Sequence, residues 1–198
     1  ASSGAGAFMK APAREVRDSS ESMMAGDVLM VHSSTSMQAA HSNPRRDFDP
    51  QPVLRGSRLL LRPLVPGDRD ALWQVARDPL LWDQHPDKTR CDPEGFARFF
   101  QAALDSGSAL AVVDARSDRV IGSSRYYELD AARREVAIGY TFIAREYWGS
   151  GVNRELKRLM IEHAAPWVDR IWFHVGTGNL RSRRAMEKIG ASAEFEAQ

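Results

Sequence analysis

Gly149, Ser150 and Gly151 stand just ahead of an amphipathic run that carries Arg154, Lys157 and Arg158. Residues of these types at this spacing can hold a phosphate. Two glycines let the backbone approach a ligand closely, and the unpaired N–H groups that open a helix bind anions. Three cations in the first turns oppose the helix macrodipole, whose N-terminus is already positive, and an anion among them resolves that conflict. The same residues also read as a glycine-containing loop that starts a surface helix, because short glycine motifs recur by chance. A second polar pair, Asn179 and Ser182, opens a later helical run after Gly176-Thr177-Gly178. Ser182 shares a helical face with Ala185, Met186 and Ile189, which turns its hydroxyl inward. A hydroxyl there needs a partner, and a nearby backbone carbonyl is the plain alternative to a ligand.

Both groups need elements to position them. Within residues 147–165, Val152, Leu156, Leu159, Met160 and Ala164 share one helical face, with Arg154, Lys157 and Arg158 starting the other. Upstream, residues 58–64 form a short apolar strand closed by Pro63 and the Pro66-Gly67 turn. Asp68 caps a first helix to about Arg77, and Asp92-Pro93 starts a second with Phe96, Phe99, Phe100, Ala103 and Leu104 on one face. The intervening residues 77–91, with Trp82 and His85, form a connector that can border a pocket. Three strands follow over residues 109–113, 119–129 and 135–143, with turns short enough for an antiparallel meander. In the last of them Val136, Ile138, Tyr140 and Phe142 alternate, and Gly139 marks a bulge or a close backbone approach. Residues 170–175 are a buried-type strand, so strand, helix and strand imply a right-handed parallel crossover. Residues 191–195 can start one more strand.

Composition narrows the function classes. The 198 residues are 43% hydrophobic and 27% charged, as in an ordinary globular protein. A net charge of +1 argues against a broad nucleic-acid surface, and no apolar run approaches the roughly 20 residues of a membrane helix. Cys91 is the single cysteine, which excludes an intrachain disulfide and leaves a cytoplasmic protein as the expectation. The five histidines lack metal-ligand spacing, so no zinc or other metal is expected. Residues 1–52 are rich in Ala, Ser, Gly and Met without a sustained period, and read as a disordered or loosely attached tail. Order should begin near Leu54, which assigns residues 53–198 to the folded domain.

WGSGVNRELK followed by HVGTGNLRSRRAMEKIGA, set in this order of elements, resembles the GNAT superfamily of acyl-CoA-dependent N-acyltransferases. Within it the pair is similar to the branch of ribosomal-protein N-terminal acetyltransferases. The resemblance covers about residues 54–198. It implies an α+β fold: a mixed, mainly antiparallel sheet flanked by helices, with a parallel crossover from the fourth strand through the third helix to the fifth. It implies acetyl-CoA as acyl donor, a primary amine as acceptor, and a monomer or homodimer. The coenzyme A pyrophosphate would lie on the turn made by Trp148, Gly149, Ser150, Gly151, Val152 and Asn153, with Arg154 near the phosphates. The pantetheine arm would add to the fourth strand at Thr141, Phe142 and Ile143, where the fourth and fifth strands splay. Asn179 would orient the donor. A deprotonated amine would attack the thioester, with Glu135 the first candidate base and Glu146 the second. The family's thiolate-protonating tyrosine falls at Met186, which cannot donate, and Ser182 is the substitute.

Two departures stand out. The last position of the glycine turn, usually Gly or Ala, is Asn153. The family also continues into a seventh strand that inserts between the fifth and sixth, and the eight residues after Gly190 cannot supply it. The fifth strand would then keep an open edge, or the sixth would shift across, or another molecule would pair there. A non-catalytic acyl-CoA-binding or interaction protein derived from a truncated acetyltransferase is the alternative. A P-loop reading fails because no Gly-Lys-Ser/Thr follows the turn.

Overall fold

The computed structural model describes residues 26–32, 48–176, 178–187, 189 and 192–194. In chain order the elements are β1 (Gly26–His32), β2 (Leu54–Arg55), β3 (Leu59–Pro63), α1 (Arg69–Ala76), α2 (Pro93–Asp105), β4 (Ala109–Asp114), β5 (Arg119–Asp130), β6 (Glu135–Ile143), α3 (Val152–Ala164), β7 (Arg170–Gly176), α4 (Leu180–Glu187) and β8 (Ser192–Glu194). The fourth, fifth and sixth strands expected from the sequence are thus β6, β7 and β8. One sheet runs β2-β3-β4-β5-β6-β7-β1-β8. Its neighbours are antiparallel except β6 and β7, which the α3 crossover makes parallel. This is the mixed α+β architecture anticipated above. No helix among the described residues is long and apolar enough to cross a membrane.

The helices divide the core between two faces. Leu156, Met160 and Ala164 of α3 pack on one face with Leu61, Ile121, Tyr126, Ile138 and Phe173. Leu72 and Ala76 of α1 and Phe96 and Phe100 of α2 cover the other, with Trp82 and Phe142. Asp92 is extended and Pro93 opens α2, as the sequence predicts, but the Asp92 side chain makes no capping bond. Asp68 likewise does not cap α1. Its carboxylate takes two Arg62 hydrogen bonds at 2.7 and 2.8 Å and the Val65 N–H at 3.0 Å, which an ion pair between neighbouring elements favours over a cap.

The largest difference concerns the N-terminal segment. Gly26–His32 pair antiparallel with all of Arg170–Gly176, and Val28–Met30 pair with β8 on the other side. Met30 is 1% exposed. These residues are part of the sheet, not of a tail outside it, and they occupy the place between the fifth and sixth expected strands. None of the three outcomes foreseen for that place occurs. A strand whose backbone is paired on both sides satisfies its donors and acceptors whatever its composition, which a reading of composition misses. Phe48 is also anchored, edge-on to Tyr126 at 5.1 Å, and Gln51 Nε2 donates to the Ala109 carbonyl at 3.1 Å. The other tail residues, 1–25 and 33–47, lie outside the described residues.

Candidate active site

The glycine turn is built by local necessity. After β6 the chain makes a short turn at Arg145–Tyr147, and Trp148 Nε1 donates back to the Ile143 carbonyl at 3.1 Å. Gly149 and Gly151 have φ of +74° and +87°, the left-handed region that disfavours side chains, and Gly151 is the N-cap of α3. Tyr147 fixes the turn to β4 by donating to Asp114 Oδ2 at 2.6 Å. Arg145 pairs with Asp78 and ties the turn to the residue 77–91 segment.

Arg58 straps this turn from outside. Its Nη1 donates to the Ser150 carbonyl at 2.7 Å, and its Nε and backbone N–H donate to the Glu155 carboxylate at 3.2 and 2.9 Å. Burial pushes the Glu155 pKa up, but hydrogen bonds from Arg58 and Ser57 outweigh it and hold the group below its ordinary value. An ionised carboxylate in the first turn suits the macrodipole and offsets the nearby cations. An open cleft of about 410 Å³ lies here, lined by Arg58, Gly149, Gly151, Arg154 and Arg158 among others. Its exposed Arg158 also pairs with Glu162.

Lys157 is not on that surface. It lies three residues before Met160, on the buried face of α3, and its Nζ donates to Thr141 Oγ1 at 2.6 Å. Burial pushes its ammonium pKa down to about 7. Thr141 Oγ1 is also 2.7 Å from Ser124 Oγ, and both hydroxyls reach the Gly139 carbonyl at 3.3 Å.

This polar cluster flanks a gap. The parallel ladder joins only Glu135–Ala137 to Arg170–Trp172. Beyond it, β6 stays paired to β5 and β7 to β1, so the edge of β6 from Ile138 onward faces β7 without ladder bonds. A bulge shapes β6 here: Ser123 stands opposite Phe142 and Arg125 opposite Gly139, so three steps on β6 match two on β5. The extra residue falls at Tyr140–Thr141, where Tyr140 has φ of +51°, and not at Gly139 itself. It also breaks the alternation anticipated from the sequence. Val136 and Ile138 face α3, while Phe142 turns to the α1–α2 side against Trp82 and Phe99. Gly139 serves the close approach, since a Cβ there would sit 2.8 Å from the Tyr127 ring.

The other anticipated residues fall as follows. Thr141, Phe142 and Ile143 form the gap's edge, and Trp148 to Asn153 form the turn at its end. Asn179 caps α4, its Oδ1 accepting the Ser182 N–H at 3.0 Å. Ser182 is half-buried, and Met186 is buried in the α3-side core. Glu135 opens β6, at the opposite end of the ladder from the gap. Its carboxylate accepts from Arg170 at 2.6 Å and from Trp172 at 3.0 Å, and Arg170 chiefly holds its pKa below the ordinary value. A carboxylate so held is a weak proton acceptor. Glu146 is exposed and pairs with Arg119.

Tyr126 and Tyr127, neighbours on β5, part company because successive strand residues face opposite ways. Tyr126 is buried against α3 and donates to the Met160 carbonyl at 2.7 Å. Tyr127 lies on the α1–α2 side with Tyr140 and His174. Sequence reading passed over Arg58, His174 and Arg181. The Arg181 guanidinium stacks on Trp148 at 4.1 Å and bonds to the Leu81 carbonyl and Asp83, joining α4, the turn and the residue 77–91 segment. His174 was legible only as the outward member of the alternation Arg170, Trp172, His174.

Comparison with known proteins agrees with this fold. Residues 58–192 match the acetyltransferase (GNAT) domain. No curated protein matches the sequence. Among solved structures, a GCN5-related N-acetyltransferase from Brucella melitensis aligns at 18% identity over 71% of this chain and 67% of its own, with a TM-score of 0.61. A Vibrio cholerae protein provisionally named a ribosomal-protein-serine acetyltransferase aligns at 17% identity over 74% of this chain and 86% of its own, TM-score 0.60. Spermidine N-acetyltransferase from Vibrio cholerae, solved with CoA and spermine, aligns at 20% identity over 71% of this chain and 84% of its own, TM-score 0.55.

Proposed function

The chain belongs to the GNAT acetyltransferase family, and from that premise we propose that it carries an acetyl group from acetyl-CoA to a primary amine. One observation carries this reading. An unladdered edge of β6, able to pair with a pantetheine arm, runs on into a glycine turn whose helix N-terminus can take a pyrophosphate. The backbone of residues 148–153 would hold the pyrophosphate, with Arg154 and Arg58 beside it. Thr141 and Phe142 offer edge groups of β6, whereas the Ile143 carbonyl is already used by Trp148. The protein's part in the reaction is to hold amine and thioester together and to present backbone N–H groups to the developing oxyanion. Ser182, fixed through Asn179, would return a proton to the leaving thiolate.

The acceptor belongs to one of two classes supported by the fold relatives: a protein N-terminus, as the sequence resemblance suggests, or a small aliphatic polyamine. Calorimetry with acetyl-CoA, followed by thiol release against N-terminal serine and alanine peptides and spermine, tests the reading. Saturable binding and release with at least one amine are expected. Folded protein that binds no acetyl-CoA would sink it. A binding-only role has one observation in its favour, the buried Met186 where the resemblance expects a proton donor. Binding without release across the panel selects that role.

A further inference from the structure

We propose that His174 is the proton acceptor for the attacking amine and that Tyr127 is its positioning residue, an inference that rests on the acetyl-transfer reading above. His174 lies two residues beyond the last ladder pair, Ala137 with Trp172, at the rim of the β6–β7 gap. It is on the α1–α2 side of the sheet, and its side chain is 26% exposed. Tyr127 reaches it from β5 by crossing over β6 at Gly139, the one place on that path without a side chain. Its ring lies where a Gly139 Cβ would be, and its hydroxyl is 2.9 Å from His174 Nδ1.

Glu128 selects the tautomer. Its Oε2 is 3.6 Å from the same Nδ1, so the proton is favoured on Nδ1, from which it is donated to the Tyr127 oxygen. Burial keeps the Tyr127 phenol protonated by pushing its pKa upward. The Nε2 lone pair is then the free base of the ring, with no hydrogen bond among the described residues. The groups around it are Glu128 and Tyr127 of β5, Tyr140 of β6, and the Arg125 and Arg90 guanidiniums stacked on Tyr140 at 3.5 and 5.9 Å. Glu135, Arg170 and Trp172 follow along the same face and are bonded to one another.

The step balances. Nε2 takes a proton from the substrate ammonium. The amine lone pair forms the C–N bond to the thioester carbonyl carbon, the C–S bond breaks, and its electron pair leaves on sulfur. The Ser182 hydroxyl gives its proton to that thiolate and takes up the second amine proton in its place, and the imidazolium returns its proton to water.

The test is the pH–rate profile of the full chain with the panel amine that the wild type turns over, with acetyl-CoA affinity measured alongside. His174→Gln should lower kcat about 100-fold or more, remove the limb along which the rate rises with pH, and leave acetyl-CoA affinity within twofold. Tyr127→Phe, which removes only the oxygen that accepts from Nδ1, should displace that limb and lower kcat several-fold with KM little changed. An intact limb in His174→Gln overturns the assignment while acetyl transfer stands. Should His174→Gln fail to fold, an unmoved limb in Tyr127→Phe overturns it equally. A wild-type chain that releases no thiol with any amine overturns the acetyl-transfer reading and this inference with it.

Discussion

A single lysine shows how far a residue's role depends on the face it occupies. Lys157 is part of a Arg-x-x-Lys-Arg cluster in sequence, yet its ammonium is buried beneath the sheet with Thr141 Oγ1 as partner. Burial depresses its pKa from 10.5 to about 7. The unfolded chain therefore binds a proton between those values that the folded chain does not, so folding stability rises with pH across that window and is flat below it. Lys157→Met should stabilise the fold by about 1–3 kcal/mol near pH 7, and the gain should shrink as pH approaches 10. Urea denaturation at a series of pH values measures this, and a gain independent of pH would contradict the burial argument. The neighbouring Glu155 has the opposite history. It sits in the same helix turn and is just as hidden, but Arg58, far away in sequence, supplies the donors that keep it ionised. Nothing within the helical run identifies which of the two charges is satisfied.

Among the elements, β6 decides the site. Its first three residues hold β7, its bulge turns Phe142 to the opposite core, and its free edge opens the gap. Gly139 is the hinge of this arrangement through packing rather than backbone conformation. Gly139→Ala should cost about 1–3 kcal/mol from overpacking, because the new methyl meets the Tyr127 ring. Combining it with Tyr127→Ala should be non-additive, the double variant losing less than the sum of the two by about 1 kcal/mol. Additive losses in a denaturant cycle would mean that the ring does not rest on the glycine. The strand itself was evident from its alternating apolar residues. A bulge was one of the two readings of Gly139, but its place at Tyr140–Thr141 was not legible, because one inserted residue leaves the local pattern of types intact and changes only which side of the sheet each one meets.

Across the whole molecule the notable feature is β1. It completes the sheet between β7 and β8 and brings Met30 into the interior. Met30→Ala should therefore cost about 2–5 kcal/mol, measured by thermal or urea unfolding. A variant as stable as the parent would place these residues outside the domain. Most of the fold is legible in local pattern. The 3.6-residue spacing in residues 152–164, proline after aspartate at residue 93, and the apolar run in residues 170–175 all mark elements that form where expected. The glycine turn was also legible, because positive φ and a helix start leave a signature within a few residues. By itself, then, the sequence determined the order of elements after residue 58, the crossover and the glycine turn, all of which rest on patterns within short stretches of chain. Tertiary structure alone decided the rest: the pairing of Gly26–His32 with Arg170–Gly176, the Arg58–Glu155 strap, the burial of Lys157, and the meeting of Tyr127 with His174. Each joins residues from different elements, and strand register, bulge position and the buried face of a helix must all be set before such partners meet.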